Sequence, residues 1–184
     1  MKALFVIDVQ KATIGKTHDK IFKYDEELIN RINKSIEENE IVIYIRNLMK
    51  NNFINKLAPV HVFDGTVEAE LSDEVIKKGN VIFDKYKGDA FTNPKLLDYL
   101  KENNVDTIEI VGVDGGGCIS LTALGAIDNG FKVILNTNAI GTMFNKKKEK
   151  YYKLLKEKGA EFKQKWPVPN TQSNMAVLCI EPCF

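Results

Sequence analysis

A cysteine that opens a helical pattern, reached from an apolar run through three glycines, is the residue of this chain best placed to act as a nucleophile. Ile108 to Val113 is apolar and β-branched except for Glu109 and Gly112, and it leads through Asp114, Gly115, Gly116 and Gly117 into Cys118, which heads a helical pattern to Asn129. A helix N-terminus carries partial positive charge and unpaired amides, which favour a thiolate and can hold a developing oxyanion. The same cysteine would also serve as a small buried residue above a tight glycine turn. Two further groups decide between these readings. Asp8 follows the apolar run Ala3 to Ile7, and Lys85 follows the run Val81 to Phe83. A thiol needs a base and a positive field to become a nucleophile, and a carboxylate and an ammonium supply them.

The elements that must bring these groups together follow from hydrophobic patterning. Ala3 to Ile7 and Glu40 to Arg46 are nearly continuous apolar runs, as expected for strands buried on both faces of a parallel sheet. Val9 to Tyr24 has no clear periodicity and reads as a loop over the end of the first strand. Asp25 begins a helix with Leu28, Ile29, Ile32 and Ile36 on one stripe. Between Asn47 and Asn80 the signal is weaker: Asp64-Gly65 marks a turn and Leu71 to Lys78 a short helix. Thr92 or Asn93 caps a helix with Pro94 at its first position. Phe131 to Leu135 is a further strand, and Lys146 to Lys158 a helix with Tyr151, Leu154 and Leu155 inward. Strands alternating with helices argue an α/β fold with an open parallel sheet covered on both faces. Ligand sites of such sheets lie outside the carboxyl ends of the strands, where Asp8, Lys85 and Cys118 are all expected.

The totals narrow the class. A length of 184 residues fits a single domain spanning 1–184. With 26 basic against 25 acidic residues, no overall field draws the chain to nucleic acid or anionic lipid, so a small-molecule partner is expected. Lys146, Lys147 and Lys148 read as a solvated helix start. Three cysteines, Cys118, Cys179 and Cys183, are not a disulfide framework, which points to a reducing cytoplasm. The apolar run near Met1 is too short for a signal or a membrane span. From Trp166 the chain reads as a linker and short strand, a C-terminal arm that covers a sheet edge in its own subunit or a neighbour.

Three segments, FVIDVQ (Phe5 to Gln10), KYKGDAF (Lys85 to Phe91) and GVDGGGCISLTA (Gly112 to Ala123), resemble the isochorismatase-like cysteine hydrolase family in order and spacing. The resemblance runs from about Ala3 to Ala160, with Gly65-Thr66 in the same manner. It implies a three-layer αβα sandwich around a mainly parallel, Rossmann-like sheet, and an Asp-Lys-Cys triad of Asp8, Lys85 and Cys118. A cis peptide between Val113 and Asp114, an oxyanion hole from the amides of Asp114 and Cys118, and a substrate pocket including Gln10, Phe91 and Gly117 are also expected, as is a homo-oligomer, dimer or tetramer.

The expected function is a cysteine hydrolase that cleaves a small amide or related C-N bond through a Cys118 thioester, without a cofactor. Alternatives are an isochorismatase-type cleavage of a vinyl ether, and a binding protein that keeps the scaffold without turnover. Relatives that deamidate nicotinamide carry Asp-x-His and a further His after the second strand to hold a metal. Arg46 to Ala58 contains neither histidine nor aspartate, and His61 stands alone, so no metal is expected. Gly115 and Gly117, where relatives are bulkier, suggest a roomier pocket.

Overall fold

The computed structural model describes residues 1–15, 22–53, 55–57 and 61–163. The middle of the loop expected from Val9 to Tyr24, residues 16–21, and the tail from Trp166, including Cys179 and Cys183, lie outside these residues. The apolar runs become strands β1 (Lys2–Ile7), β2 (Ile41–Asn47), β3 (Ile82–Lys85), β4 (Thr107–Val113), β5 (Lys132–Gly141) and β6 (Glu161–Lys163). All pair in parallel in the order β3-β2-β1-β4-β5-β6. The chain starts in the middle of the sheet and builds outward twice, so the order reverses between β1 and β4. Connections diverge there, which opens a crevice at the strands' carboxyl ends.

Helices cover both faces, giving the three layers. On one face α1 (Leu28–Glu37) lays Leu28, Ile29, Ile32 and Ile36 against Leu4, Val6, Val42, Tyr44 and Val111. Each such side chain taken wholly out of water contributes about 1.5 to 3 kcal/mol, and this stripe sets the helix's orientation. On the other face lie α2 (Pro94–Glu102), α3 (Cys118–Asp128) and α4 (Asn145–Glu157), which bury Leu96, Leu100, Ile119, Ala123, Ala126 and Leu155 against Phe5, Ile7, Ile43, Ile108 and Ile110. Asn93 caps α2, its side chain accepting from the Lys95 amide at 3.1 Å, with Pro94 in the first turn. Among the described residues no helix is long and apolar enough to cross a membrane.

Four expectations change. Leu71 to Lys78 is not helical. Its backbone is engaged elsewhere: the Ser72 amide donates to Val9 O, and the Tyr44 hydroxyl donates to Ile76 O while accepting from the Lys78 amide. The helix expected from Asp25 begins at Leu28, because Asp25 Oδ1 instead takes the Glu27 amide. Strand β5 runs six residues past Leu135, to Gly141, since the polar Asn136 is buried and hydrogen-bonded. In α4 it is Leu155 that is buried; Leu154 is 38% exposed.

Candidate active site

Register alone lines up the carboxyl ends of the central strands. Ile7 pairs with Ile45 and Gly112, and Asn47 pairs with Lys85. Asp8 is therefore the first residue beyond β1, Asn47 and Lys85 end β2 and β3 side by side, and the turn to Cys118 follows β4. Asp8 has φ +54°, uncommon for a residue with a side chain, and its backbone is held there by the bond of its amide to Ile45 O (2.9 Å) and by a bond from the Thr13 hydroxyl to its carbonyl. That left-handed residue re-aims the carboxylate at the neighbouring strand ends.

The Lys85 ammonium is the hub of the site. It donates to Asp8 Oδ2 at 3.0 Å, to Cys118 Sγ at 3.2 Å and to Asn47 Oδ1 at 3.3 Å, and its side chain has no exposed surface. Burial works against the ammonium, but Asp8 and Cys118 beside it more than offset this and hold it above the ordinary lysine range. The other Asp8 oxygen, Oδ1, is buried and has no hydrogen-bond donor among the described residues. Burial, then the Asp8 carboxylate, push the Cys118 thiol up to about 12, with Lys85 pulling the other way. Burial and Asp8 thus favour the thiol form of Cys118, and Lys85 favours the thiolate.

The turn that presents Cys118 is stapled on both sides. The Val113-Asp114 peptide is cis. Asp114 Oδ1 accepts from the Gly116 amide at 2.7 Å and Oδ2 from the Met143 amide at 2.5 Å, with the Tyr24 hydroxyl 3.5 Å away. The Gly115 amide donates to Gly141 O, and the Ser120 hydroxyl to Gly115 O. The amides of Asp114 and Cys118 have no acceptor among the described residues.

Two residues assigned to the pocket lie elsewhere. Gln10 is fully buried and its carboxamide is consumed by the backbone of Asn47 and Ala69. Phe91, half-buried, packs its ring between those of Phe5 and Phe131, at centroid distances of 6.2 and 5.7 Å, against the core. Gly117 does sit half-buried beside Cys118, and a methyl group there would meet nothing nearer than 3.8 Å. Gly115 and Gly116 do not widen the pocket. A Cβ on Gly115 would lie 2.3 Å from Thr142 Oγ1, and one on Gly116 2.4 Å from Phe144 O, so the loop before α4 fills that space. Sequence reasoning missed Asn47 and Tyr24. Only the strand register distinguishes Asn47 from its neighbours, and nothing periodic marks Tyr24.

An open α/β sheet with a lysine-bridged carboxylate and thiol at its switch point defines a class of cysteine-centred sites. The isochorismatase domain family model matches residues 2–164, and the chain belongs to that family. It is 28% identical over 163 residues to isochorismatase family protein 2A of Dictyostelium discoideum, a match covering 85% of this chain and 74% of that protein. A shorter match, 31% over 74 residues, joins 40% of this chain to N-carbamoylsarcosine amidase of Arthrobacter sp. and spans only 28% of the amidase. The fold is similar to that of an isochorismatase-like hydrolase from Alkaliphilus metalliredigens (TM-score 0.75, 23% identity, 88% of this chain and 92% of that one). It is similar also to that of a pyrazinamidase of Pyrococcus horikoshii solved in complex with zinc (TM-score 0.75, 23% identity, 89% and 98%).

Proposed function

We propose that this protein is a hydrolase that opens a small amide or related C-N bond through a thioester on Cys118. The observation that carries the reading is the Lys85 ammonium bridging Asp8 and Cys118 at the head of α3. The names of similar proteins, an N-carbamoylsarcosine amidase and a pyrazinamidase, agree with C-N cleavage. Asp8 Oδ1 takes the thiol proton as sulfur attacks the carbonyl carbon. The amides of Asp114 and Cys118 receive the oxyanion, a contribution of about 3 to 4 kcal/mol per donor where one has been removed from such a hole. The intermediate collapses, the amine leaves with the proton from Asp8, and the acyl group remains on sulfur. Water then gives a proton to Asp8 and attacks the thioester, and the departing sulfur takes that proton back. Lys85 stays cationic and orients the carboxylate throughout.

The residues present do not fit zinc. Leu48 is buried with Val62, Ala69 and the partly buried Met49, and the Asn47 oxygen is engaged by Lys85. His61 is exposed, stacks on Phe63 and has Nε2 against Lys56 O. Among the described residues no three His, Cys, Asp or Glu side chains gather. Turnover is therefore expected to survive chelation; loss restored by added zinc overturns that assignment.

A screen of small amides, ureido compounds and isochorismate, read by released ammonia or product, tests the activity. Cys118→Ala should abolish C-N cleavage, and mass spectrometry of quenched wild-type enzyme should find the acyl group on the Cys118 peptide. Turnover of isochorismate that persists in Cys118→Ala would instead mark vinyl ether chemistry. No turnover of any candidate, together with a Cys118 that labels no faster than an ordinary thiol in a site the reagent enters, would support a binding protein.

A further inference from the structure

An ammonium has three protons to give and accepts none. Lys85 is wholly out of solvent and has three acceptors, of which two, Asp8 and Cys118, belong to the proposed chemistry. The third is Asn47. Its side chain orientation is fixed by this contact, since only the carboxamide oxygen can face an ammonium. Asn47 and Lys85 are Cα partners on adjacent strands, so their side chains project on the same face, toward the start of α3. The main chain of Asn47 is itself clamped. Gln10 Oε1 accepts from its amide at 2.8 Å, and Gln10 Nε2 donates to its carbonyl at 3.1 Å, which ties Asn47 to the residue two positions beyond Asp8.

We propose that Asn47 is a positioning residue of the Cys118 site: an uncharged acceptor that takes the third proton of Lys85 and so keeps the ammonium shared between Asp8 and the sulfur. The lack of charge is the essential property. A carboxylate at position 47 would draw Lys85 to itself and add a second negative charge beside the sulfur, and both effects disfavour the thiolate. An apolar residue there would free the ammonium to turn and leave one buried proton unpaired. Among the described residues, the charged and titratable groups around Lys85 and Cys118 are Asp8 after β1, Asp89 after β3, Asp114 in the turn before α3 and Tyr24 ahead of α1. Changing Asn47 leaves all four in place.

The inference rests on Cys118 being the nucleophile, and the test separates the two. Full-length wild type, Asn47→Asp and Asn47→Ala are treated briefly with iodoacetamide between pH 6 and 10, the Cys118 peptide is quantified by mass spectrometry, and melting temperature reports folding. The expected result is a pH profile displaced upward by a unit or more in Asn47→Asp, about tenfold in rate at fixed pH. In Asn47→Ala the rate should fall threefold or more with a much smaller displacement. Profiles of both variants within twofold of wild type, or displaced equally in both, overturn the proposal, because a merely structural residue does not distinguish charge. If Asn47→Asp does not fold, Asn47→Ser carries the test: a short neutral acceptor should label faster than Asn47→Ala, and equal rates overturn the proposal. Failure of wild-type Cys118 to react in a site the reagent enters would strike the nucleophile assignment instead.

Discussion

Lys85 and Asp8 form a pair in which neither charge is tolerable without the other. Both are buried, and removing one partner of a buried pair typically costs about 3 to 5 kcal/mol because the remaining charge is stranded. Lys85→Ala is therefore expected to lower stability by about that amount as well as activity. The double variant with Asp8→Asn should be more stable than the sum of the two losses implies. Denaturant titration of the four proteins measures the coupling; simple additivity would mean that the ion pair does not hold in solution. Asp8, Lys85 and Cys118 were legible in the sequence because each follows an apolar run, and the ends of parallel strands share an edge. Asn47 was not, since the run from Asn47 to Asn52 offers three asparagines and only pairing with Lys85 selects the first. Gln10 and Phe91 sit in matching motifs, yet the motifs do not say whether a side chain faces the crevice or the interior.

At the level of elements, the site depends on how closely β4 can approach β1. Gly112 has φ +115°, and a Cβ there would stand 2.1 Å from the carbonyl oxygen of Ile7, the residue before Asp8. A shift in register between Ile110 and Gly112 accompanies this approach and leaves Gly112 opposite Ile140. Gly112→Ala meets backbone rather than a yielding side chain and also demands an unfavourable dihedral. It should destabilise by more than about 3 kcal/mol and displace Asp8 from Cys118. Gly117→Ala, with open space at its Cβ position, should cost far less. Chemical denaturation gives the ranking, and equal losses would count against the close approach. The strand-helix alternation was readable from apolar periodicity, whereas Leu71 to Lys78 and the end of β5 were not. In both, distant partners decide: Tyr44 and Val9 hold the first, while the second continues by pairing with β4 at Ile140 and Gly141, its buried Asn136 side chain satisfied by the Glu109 carboxylate.

That carboxylate acts on the scale of the whole molecule. Glu109 lies in the amino half of β4, 1% exposed, on the face covered by α1. It accepts from Lys2 of β1 at 2.7 Å, from Lys163 of β6 at 3.1 Å and from Asn136 of β5 at 3.1 Å, and Asn136 also donates to Ser35 of α1. One side chain thus joins four of the six strands to a helix. Burial opposes its charge, but Lys2 and Lys163 outweigh burial and hold the carboxyl below the usual glutamate range. A carboxyl depressed in the folded state stabilises the fold above its unfolded pKa, about 4.3, and that contribution is lost as pH falls through the folded value. Glu109→Gln keeps the shape and removes the charge, so it should be less stable than wild type at neutral pH by about 1 to 3 kcal/mol, moderated because both lysines can reach water. Denaturant titrations from pH 7 down to pH 3 should show the gap closing below about pH 4, as wild-type Glu109 takes up its proton. A gap that stays constant across that range would mean that the carboxylate is not held charged by the lysines. Because the network lies toward the opposite end of β4 from the nucleophile turn, Cys118 labelling at neutral pH should be the same in Glu109→Gln as in wild type.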